Sequence, residues 1–419
     1  MALVPLADAR RMVLAACDPL APVVATLDAA LGCVTAAAVT SAERVPPFDN
    51  SAMDGFAVLA TDTVGASEQS PVVLEVAGTV AAGSALDLVV STGGAVRIMT
   101  GAPMPSGADA VVMVERTNAV DGGARVGVQI EVAPADHIRR AGDDVEVGDT
   151  VVAAGAELTA GHLGVLASVG VGEVQVHPRP RVGVLSTGDE LVEAGRPLAR
   201  GQIHDSNRRT LLALVHQAGA VPVDLGLSPD DPDAIAEAIR RGVAGCDALL
   251  TSGGVSVGDF DHVKAVLDRL GDMTWLQIAI KPAKPFAFGT VAGPAPGRAV
   301  PVFGLPGNPV SSMVSFELLA RPGLRQMAGH AVLDRPTVRA VADDGLSRRP
   351  DGKVHYVRVV ASYGDDGRYH VRSAGGQGSH QLSAMAAANA LAVVADGDGI
   401  AAGAEARVLL VGEVAPAGA

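Results

Sequence analysis

Two acidic residues follow a glycine-rich stretch near the middle of the chain. Residues 247–251 are a short, mostly apolar run that predicts a buried parallel strand, and a loop of glycines and small residues comes next. Glycines let a backbone approach a ligand and turn its N–H groups toward an anion. Asp259 and Asp261 would repel that anion unless a divalent cation lies between the charges, or unless one of them handles a proton or an attacking water. The alternative is that both only begin the next helix.

A second group of chemically capable residues lies closer to the C-terminus. Lys281 and Lys284 stand in a loop braced by prolines and predict a clamp for a dianion, although exposed lysines are usually only solvated surface. Asn308 and Pro309 predict the start of a helix, with Ser311 in its first turn. An exposed helix N-terminus of this kind is a natural anion site.

The N-terminal half carries polar clusters of less definite meaning. Residues 46–58 hold four polar groups within nine positions, and this density indicates the rim of a cleft rather than the hydrophobic core. Residues 97–115 form a proline- and glycine-braced loop followed by a buried strand, but they lack the Lys-Ser/Thr ending of a P-loop. Residues 139–144 are a mixed-charge turn that by itself predicts only a solvated surface.

The elements that position these residues follow from hydrophobic periodicity. Residues 1–45 are alanine-rich and are predicted to be mainly helical, with an amphipathic helix at 6–16 and a stop at the di-proline 46–47. From 181 to 328 the pattern repeats strand, turn and helix, which indicates an α/β sheet whose ligands bind beyond the carboxyl ends of its strands. Residues 329–419 alternate polar and apolar positions, as in a small β domain or barrel.

Composition excludes several classes of protein. The 419 residues allow two to four domains, and a hydrophobic fraction of 48% argues against disorder. A net charge of -14 argues against a general nucleic-acid binder. The three cysteines have no metal-ligand spacing, which fits a reducing compartment, and no apolar run approaches the ~18 residues of a membrane span. We therefore expect a cytoplasmic protein that binds neither nucleic acid nor membrane.

Taken together, the chain resembles the MoeA family of molybdopterin molybdenumtransferases, which includes the E domain of gephyrin-type proteins. Eight stretches carry the resemblance in order along nearly the whole chain: PPFDNSAMDGFAV, RIMTGAPMPSGADAVVMVE, RRAGDDV, STGDEL, LTSGGVSVGDFDH, KPAKPFAFG, GLPGNPVSS and GGQGSH. SGGVSVGD and GLPGNPVS alone also resemble the smaller MogA-like domains that adenylylate the same pterin. The N-terminal stretches and the C-terminal β domain favour MoeA.

The resemblance implies a multidomain α/β fold. It has a central MogA-like α/β sandwich with a Rossmann-like sheet, a β-rich insertion, an elongated α+β N-terminal domain and a C-terminal small β-barrel. We place these domains at residues 1–45 with 146–177 (N-terminal, dimerisation), 46–145 (inserted), 178–328 (molybdopterin-binding) and 329–419 (barrel).

The resemblance also implies an activity. Such enzymes insert molybdate into adenylylated molybdopterin, cleave its pyrophosphate with Mg²⁺, release AMP and form homodimers with sites at the subunit interface. A MogA-like adenylyltransferase and acceptor molybdoenzymes are the further partners it implies.

Site roles are carried over on the matching positions. Lys284, Ser311, Arg358 and Ser379 would bind molybdate. Molybdopterin would contact Lys281, Gly253, Gly254, Ser256, Gly258, Pro306, Gly307 and Asn308. Asp261 would be the acid most needed for turnover, and Asp261, Asp230 and Glu190 would bind metal or position water. Asp54, Thr100 and Asp144 would reach the site from the partner subunit as further catalytic residues.

Two positions depart from the family pattern. Ala283 stands between the two lysines where many relatives have glycine, which restricts φ there and could shift Lys284. Gln277 replaces a lysine of some bacterial relatives. Two alternative functions stay open at this point: a MogA-like adenylyltransferase that uses ATP, and a non-catalytic scaffold of the gephyrin type.

Overall fold

A computed structural model describes residues 2–83, 87–254 and 262–416 of the chain. Four residues singled out in the sequence, Ser256, Gly258, Asp259 and Asp261, lie outside the described residues. None of the helices in these three ranges is long and apolar enough to cross a membrane.

The N-terminal region contains less helix than its alanine content predicted. The first helix is close to the expected bounds, but two runs rich in valine and threonine form strands that pair with residues more than 100 positions later. The prediction of a mainly helical segment was therefore wrong, because β-branched residues gain from long-range pairing that local composition does not reveal. The elements are α1 (Leu6–Ala15), β1 (Val23–Thr26), α2 (Leu27–Ala30), β2 (Val34–Thr35) and β3 (Val39–Thr40).

The next region is built almost entirely of strands. Six of them form one sheet in the order β8-β5-β7-β6-β10-β9, and β4 pairs with β11. Buried Val, Ala and Ile side chains fill both faces of this sheet. The strands are β4 (Asn50–Ser51), β5 (Gly55–Val58), β6 (Val72–Val80), β7 (Gly94–Ile98), β8 (Ala110–Met113), β9 (Thr117–Val120), β10 (Arg125–Val128) and β11 (Ile138–Arg139).

The chain then returns to the first region before it enters the α/β sheet. Strand β12 (Thr150–Val152) pairs with β3, helix α3 (Ala160–Ser168) follows, and β13 (Glu173–His177) lies between β1 and β2. Thr159 begins α3, since its side chain accepts a hydrogen bond from the His162 N–H.

The α/β sheet has the strand order β17-β14-β18-β22-β21-β19. The first four strands pair in parallel, and β21 pairs antiparallel with both β22 and β19, so it alone runs in the opposite direction within this sheet. Alternate residues of the strands face two separate cores: α4 and α7 contribute to one, and α5 and α6 to the other. The elements are β14 (Arg181–Thr187), β15 (Leu191–Val192), β16 (Ile203–His204), α4 (Asn207–Gln217), β17 (Val221–Ser228), α5 (Pro232–Gly245), β18 (Ala248–Ser252), α6 (His262–Leu270), β19 (Gly271–Gln277), β20 (Ile280–Lys281), β21 (Pro285–Ala292), β22 (Ala299–Leu305), α7 (Pro309–Ser315) and α8 (Arg321–Met327).

The C-terminal region forms a closed barrel. Strands β25, β26, β23, β29 and β27 pair in that order, and β27 pairs back with β25. Closure removes the free edges that an open sheet would expose. The elements are β23 (Thr337–Ala342), β24 (Leu346–Ser347), β25 (Val354–Tyr363), β26 (Tyr369–Ser373), α9 (Leu382–Ala387), β27 (Ala390–Val394), β28 (Gly399–Ile400), β29 (Glu405–Leu410) and β30 (Ala415–Pro416).

Candidate active-site cleft

A cleft of about 970 Å³ lies between the α/β sheet and the barrel. Strand β20 joins the two walls, because Ile280 and Lys281 pair with Val354 and His355 of β25. The volume suits a small-molecule substrate. Its polar lining comes from Lys281, Lys284, Asn308, Ser311, Ser347, Arg348, Arg349, Asp351, Lys353, His355, Tyr356, Ser373, Gln377 and Ser379.

Three of the four residues predicted to bind molybdate line this cleft. Lys284 follows β20, Ser311 lies in the first turn of α7, and Ser379 lies in the glycine-rich loop before α9. The Val310 N–H donates to the Ser379 carbonyl at 3.1 Å, so the loop and the helix N-terminus are held together. Within the described residues, the Lys281 and Lys284 ammonium groups have no hydrogen bond or ion pair. The cleft therefore offers two uncompensated cations and two hydroxyls to an anion.

Arg358, the fourth residue, lies behind the Ser379 loop rather than on the cleft surface. Its side chain is fully buried, and Nη2 donates to the carbonyls of Gly376 at 2.7 Å and Gly378 at 3.2 Å. Nε and Nη1 have no partner within the described residues, and burial lowers the pKa of the guanidinium. A buried cation with two orphaned donors is costly unless an anion approaches it.

The carboxyl edge of the parallel strands reaches the cleft at Asn308, two residues beyond Pro306 in the loop after β22. Gly253 has a φ of +95° and Gly254 a φ of +71°, and a Cβ at Gly253 would lie 3.3 Å from the Thr187 carbonyl oxygen. A side chain at Gly253 is disfavoured both by the positive φ and by the nearby carbonyl oxygen. The same hypothetical Cβ at Gly307 would lie 3.8 Å from the Gly253 Cα. The loops after β14, β18 and β22 are thus in contact.

Asn207, the first residue of α4, holds this edge together. Its Nδ2 donates to the Ser252 hydroxyl and to the Gly307 carbonyl, both at 2.7 Å. Its Oδ1 is buried without a partner within the described residues. Asn207 was not among the residues predicted from the sequence, although it is a short polar side chain at the start of a helix.

The predicted acidic residues Glu190 and Asp230 follow β14 and β17 at the same edge. The Asp230 N–H donates to the Asp189 carboxylate at 3.0 Å, and the Asp189 N–H donates to the Asp230 carboxylate at 3.4 Å. These reciprocal bonds bring the two loops together, and Asp189 is a second residue that the sequence analysis missed. No three His, Cys, Asp or Glu side chains among residues 2–83, 87–254 and 262–416 converge to hold a metal ion.

Asp54 and Thr100 lie together in the inserted region. The Asp54 carboxylate accepts from both the N–H and the hydroxyl of Thr100 at 2.7 Å, and these bonds lower its pKa. Asp144 is exposed on a turn whose backbone bonds to Val45. In the described part of the chain, no hydrogen bond, ion pair or strand pairing joins residues 46–145 to residues 181–416. The structure thus does not bring these three residues into the cleft of their own chain.

Comparisons with known proteins cover every region of this architecture. Residues 4–170 match the MoeA N-terminal region (domain I and II), residues 183–326 a probable molybdopterin binding domain, and residues 340–411 the MoeA C-terminal region (domain IV). The chain belongs to the MoeA family of molybdopterin molybdenumtransferases. The resemblance of the eight sequence stretches is therefore confirmed.

Individual MoeA relatives support the same conclusion. The chain is 41% identical to a molybdopterin molybdenumtransferase of Haemophilus influenzae over 85% of each protein. It is also 41% identical to molybdopterin molybdenumtransferase 2 of Mycobacterium tuberculosis, over 88% of this chain and 90% of that protein. A solved MoeA protein from Pyrococcus horikosii superimposes with a TM-score of 0.80 at 30% identity, over 98% of this chain and 100% of that one. The predicted fold class and the assignment as a MoeA-family enzyme of molybdenum cofactor biosynthesis are confirmed.

Proposed function

We propose that this enzyme inserts molybdate into adenylylated molybdopterin, with Mg²⁺-dependent cleavage of the pyrophosphate and release of AMP. The observation that carries the proposal is the continuity of an uncompensated cationic cleft with a glycine-rich, acidic sheet edge. An oxyanion and a metal-bound pyrophosphate need these opposite environments side by side.

The cationic side suits a tetrahedral dianion. Lys284, Ser311 and Ser379 supply one charge and two hydroxyls on the cleft surface, and Arg358 supplies a second charge from beneath. Molybdate binding would give the two orphaned nitrogens of Arg358 an acceptor nearby. Lys281 would offset phosphate charge, and Pro306, Gly307 and Asn308 would contact the pterin, as the family resemblance implies.

The acidic edge is chemically suited to Mg²⁺. Mg²⁺ prefers oxygen ligands and is commonly held by one or two carboxylates together with substrate phosphates, so a preformed cluster of three side chains is not required. Glu190 and Asp230 are exposed at this edge, and Asp189 holds their loops together. Asp261, predicted to be the acid most needed for turnover, lies outside the described residues. When bound, the ion would neutralise charge on the pyrophosphate.

We further propose a homodimer in which Asp54, Thr100 and Asp144 reach the cleft of the partner subunit. Their exposure, together with the lack of bonds between their region and residues 181–416 in the described part of the chain, supports this arrangement. A MogA-like adenylyltransferase would supply the substrate and molybdoenzymes would accept the product. The three cysteines are free, which supports the cytoplasmic location predicted from the sequence.

Release of AMP from adenylylated molybdopterin tests the proposal directly. We expect release that requires both molybdate and Mg²⁺, and an Asp261→Asn variant that binds the adenylylated pterin without releasing AMP. An adenylyltransferase would instead consume ATP in the absence of molybdate, so the same assay with ATP distinguishes the two. Full activity of Asp261→Asn would contradict the role of that residue.

A further inference from the structure

The barrel wall of the cleft carries a group of polar residues with no role so far. Residues 345–357 supply nearly half of the lining. Among them are Arg349 and Lys353, which with Lys281 make this wall cationic, and His355, whose pKa is lowered by burial. We define Arg349, Lys353 and His355 as the barrel-wall cluster.

Buried hydrogen bonds fix the backbone beneath this cluster. The Arg348 guanidinium is almost fully buried and donates to the carbonyls of Lys353, Val394 and Ala395. It also bonds the carboxylates of Asp351 and Asp396 at 2.7 Å. Every face of this guanidinium is therefore occupied, which makes it a structural group that holds the loop before β25 in one conformation.

Asp351 orients two members of the cluster. Its carboxylate accepts from Lys353 Nζ at 3.1 Å and bonds His355 Nε2 at 3.1 Å. Although partial desolvation opposes the shift, the bonds from Lys353 and His355 lower the pKa of Asp351 to about 2. The carboxylate is thus charged at neutral pH and accepts from the His355 Nε2–H. Burial lowers the pKa of His355, so the ring is neutral and its other nitrogen, Nδ1, is an acceptor with no hydrogen bond within the described residues.

Positive charge on this wall is only partly neutralised. Asp351 is the single carboxylate residue among the lining residues, and it already serves Arg348 and Lys353. Arg349 has no side-chain hydrogen bond or ion pair within the described residues. Lys281 lies directly across the β20–β25 pairing from His355. The cluster therefore adjoins the lysine side of the cleft but draws on different residues.

We infer that the barrel-wall cluster is a second anion subsite, which binds a phosphate monoester group while the Lys284 side holds the oxyanion. The inference rests on the proposed function, because that reaction yields two phosphate monoesters in a cleft far larger than one tetrahedral oxyanion. Guanidinium and ammonium donors suit phosphate oxygens, and the neutral Nδ1 of His355 can accept from a protonated phosphate oxygen or a hydroxyl of the ligand. Asp351 is a positioning residue that acts through His355 and Lys353.

Calorimetric titration with three probes, inorganic phosphate, AMP and molybdate, tests the inference. We expect the double variant Arg349→Ala/His355→Gln to weaken phosphate and AMP binding at least about 10-fold, because one or two charge-assisted hydrogen bonds are lost. Its molybdate affinity should stay within about twofold of wild type. Lys284→Ala should show the reverse pattern. Arg339→Ala, an exposed change of equal charge on the barrel, is the matched control and should alter neither.

The outcomes separate this inference from the proposed function. Unchanged phosphate and AMP affinity in a double variant with a native melting temperature would overturn the subsite. An equal loss of molybdate affinity would also overturn it, because it would show one shared anion site.

Tighter binding of AMP than of inorganic phosphate, lost in the double variant, assigns the subsite to the nucleotide. Equal binding of both supports a subsite for the phosphate group alone. If wild-type enzyme binds phosphate through the cluster but releases no AMP from adenylylated pterin, only the proposed reaction fails.

Discussion

At the scale of one residue, Arg358 is costly to bury, but it is also proposed to bind molybdate. Its guanidinium is buried, with two nitrogens that lack partners within the described residues, so it contributes little to stability for its size. Retaining such a group makes physical sense if an anion completes its hydrogen bonds. This is the reverse of a structural arginine such as Arg348, whose donors are all occupied.

Replacing Arg358 by methionine should therefore separate binding from stability. We expect Arg358→Met to lower molybdate affinity at least about 10-fold, and to change the free energy of unfolding by less than about 1 kcal/mol or raise it. Urea unfolding and calorimetry measure the two effects, with Arg358→Lys as the control that keeps a charge. A loss of stability of about 3–5 kcal/mol would instead indicate a purely structural arginine.

Ala283 shows how a local departure from the family pattern is accommodated. The residue has a φ of +75°, in the left-handed region that favours glycine, and its methyl group is buried. An L-residue there carries about 1–2 kcal/mol of strain. The backbone thus keeps the glycine-like turn that places Lys284, at an energetic cost.

Two substitutions at position 283 should have very different effects. Ala283→Gly removes the strain but loses a buried methyl group and adds unfolded-state entropy, so we expect a change within about 1 kcal/mol. Ala283→Val adds a β-branched side chain to a left-handed backbone in a packed site and should cost more than about 2 kcal/mol. Thermal unfolding of both variants measures the difference. Equal stabilities would show that this backbone adapts freely.

At the scale of elements, the N-terminus of α4 connects two ligand loops. Asn207 donates to the ends of β18 and β22 at once. Removing it leaves the Ser252 hydroxyl and the Gly307 carbonyl without that donor. The end of β18 and the loop after β22 would then lose the side chain that bonds them both.

We expect Asn207→Ala to lower the free energy of unfolding by about 1–3 kcal/mol and to raise the KM for adenylylated pterin more than it lowers kcat. Asn207→Asp keeps the shape but places an acceptor against the Gly307 carbonyl, so it should be no better. Asn118→Ala, which removes an exposed asparagine from the inserted region, serves as the control. An unchanged KM for Asn207→Ala would rule out a positioning role.

At the scale of the whole molecule, a buried histidine links α8 to the N-terminal region. Burial and the nearby Arg325 lower the pKa of His330 to about 4. The neutral Nδ1 then accepts from Arg325 Nη2 at 3.0 Å, and Arg325 also bonds the Glu157 carboxylate at 3.4 Å. His330 Nδ1 lies 3.2 Å from the Glu157 carboxylate because Arg325 bonds both groups, and not because the histidine is charged.

This contact makes stability depend on pH. The native state binds fewer protons than the unfolded state between the two pKa values, so the contribution is complete above the ordinary pKa of 6.5 and is lost as pH falls toward about 4. We expect roughly 1–2 kcal/mol less stability at pH 5 than at pH 7. Urea unfolding across this range measures it. His330→Gln should lack that part of the slope, and an identical slope would exclude His330 as its source.

The proposed exchange of residues between subunits predicts complementation. Asp144→Asn and Lys284→Ala, each inactive alone, should regain about a quarter of wild-type activity when their dimers are unfolded and refolded together, because half the dimers are mixed and each has one intact site. AMP release measures the recovery. Mixed dimers that form but stay inactive would place both residues in the site of one chain.

The sequence by itself determined the features that depend on local chemistry and on motif order. Asn308 and Pro309 predicted the start of α7, whose first residue is Pro309. The glycines after β18 predicted a backbone that side chains cannot adopt, and the order of eight stretches predicted the family. These signals lie within a few residues of each other, so no distant contact is needed to detect them.

Only the tertiary structure decided which distant residues share a surface. Strands β1 to β3 exist because β12 and β13 pair with them, and alanine content therefore misled the prediction of helix. Folding buried Arg358 beneath the site, and the pairing of β20 with β25 placed His355 across from Lys281 in the cleft that Arg349 also lines. The physical reason is the same in each case: pairing, burial and charge neutralisation depend on neighbours in space, which sequence spacing does not specify.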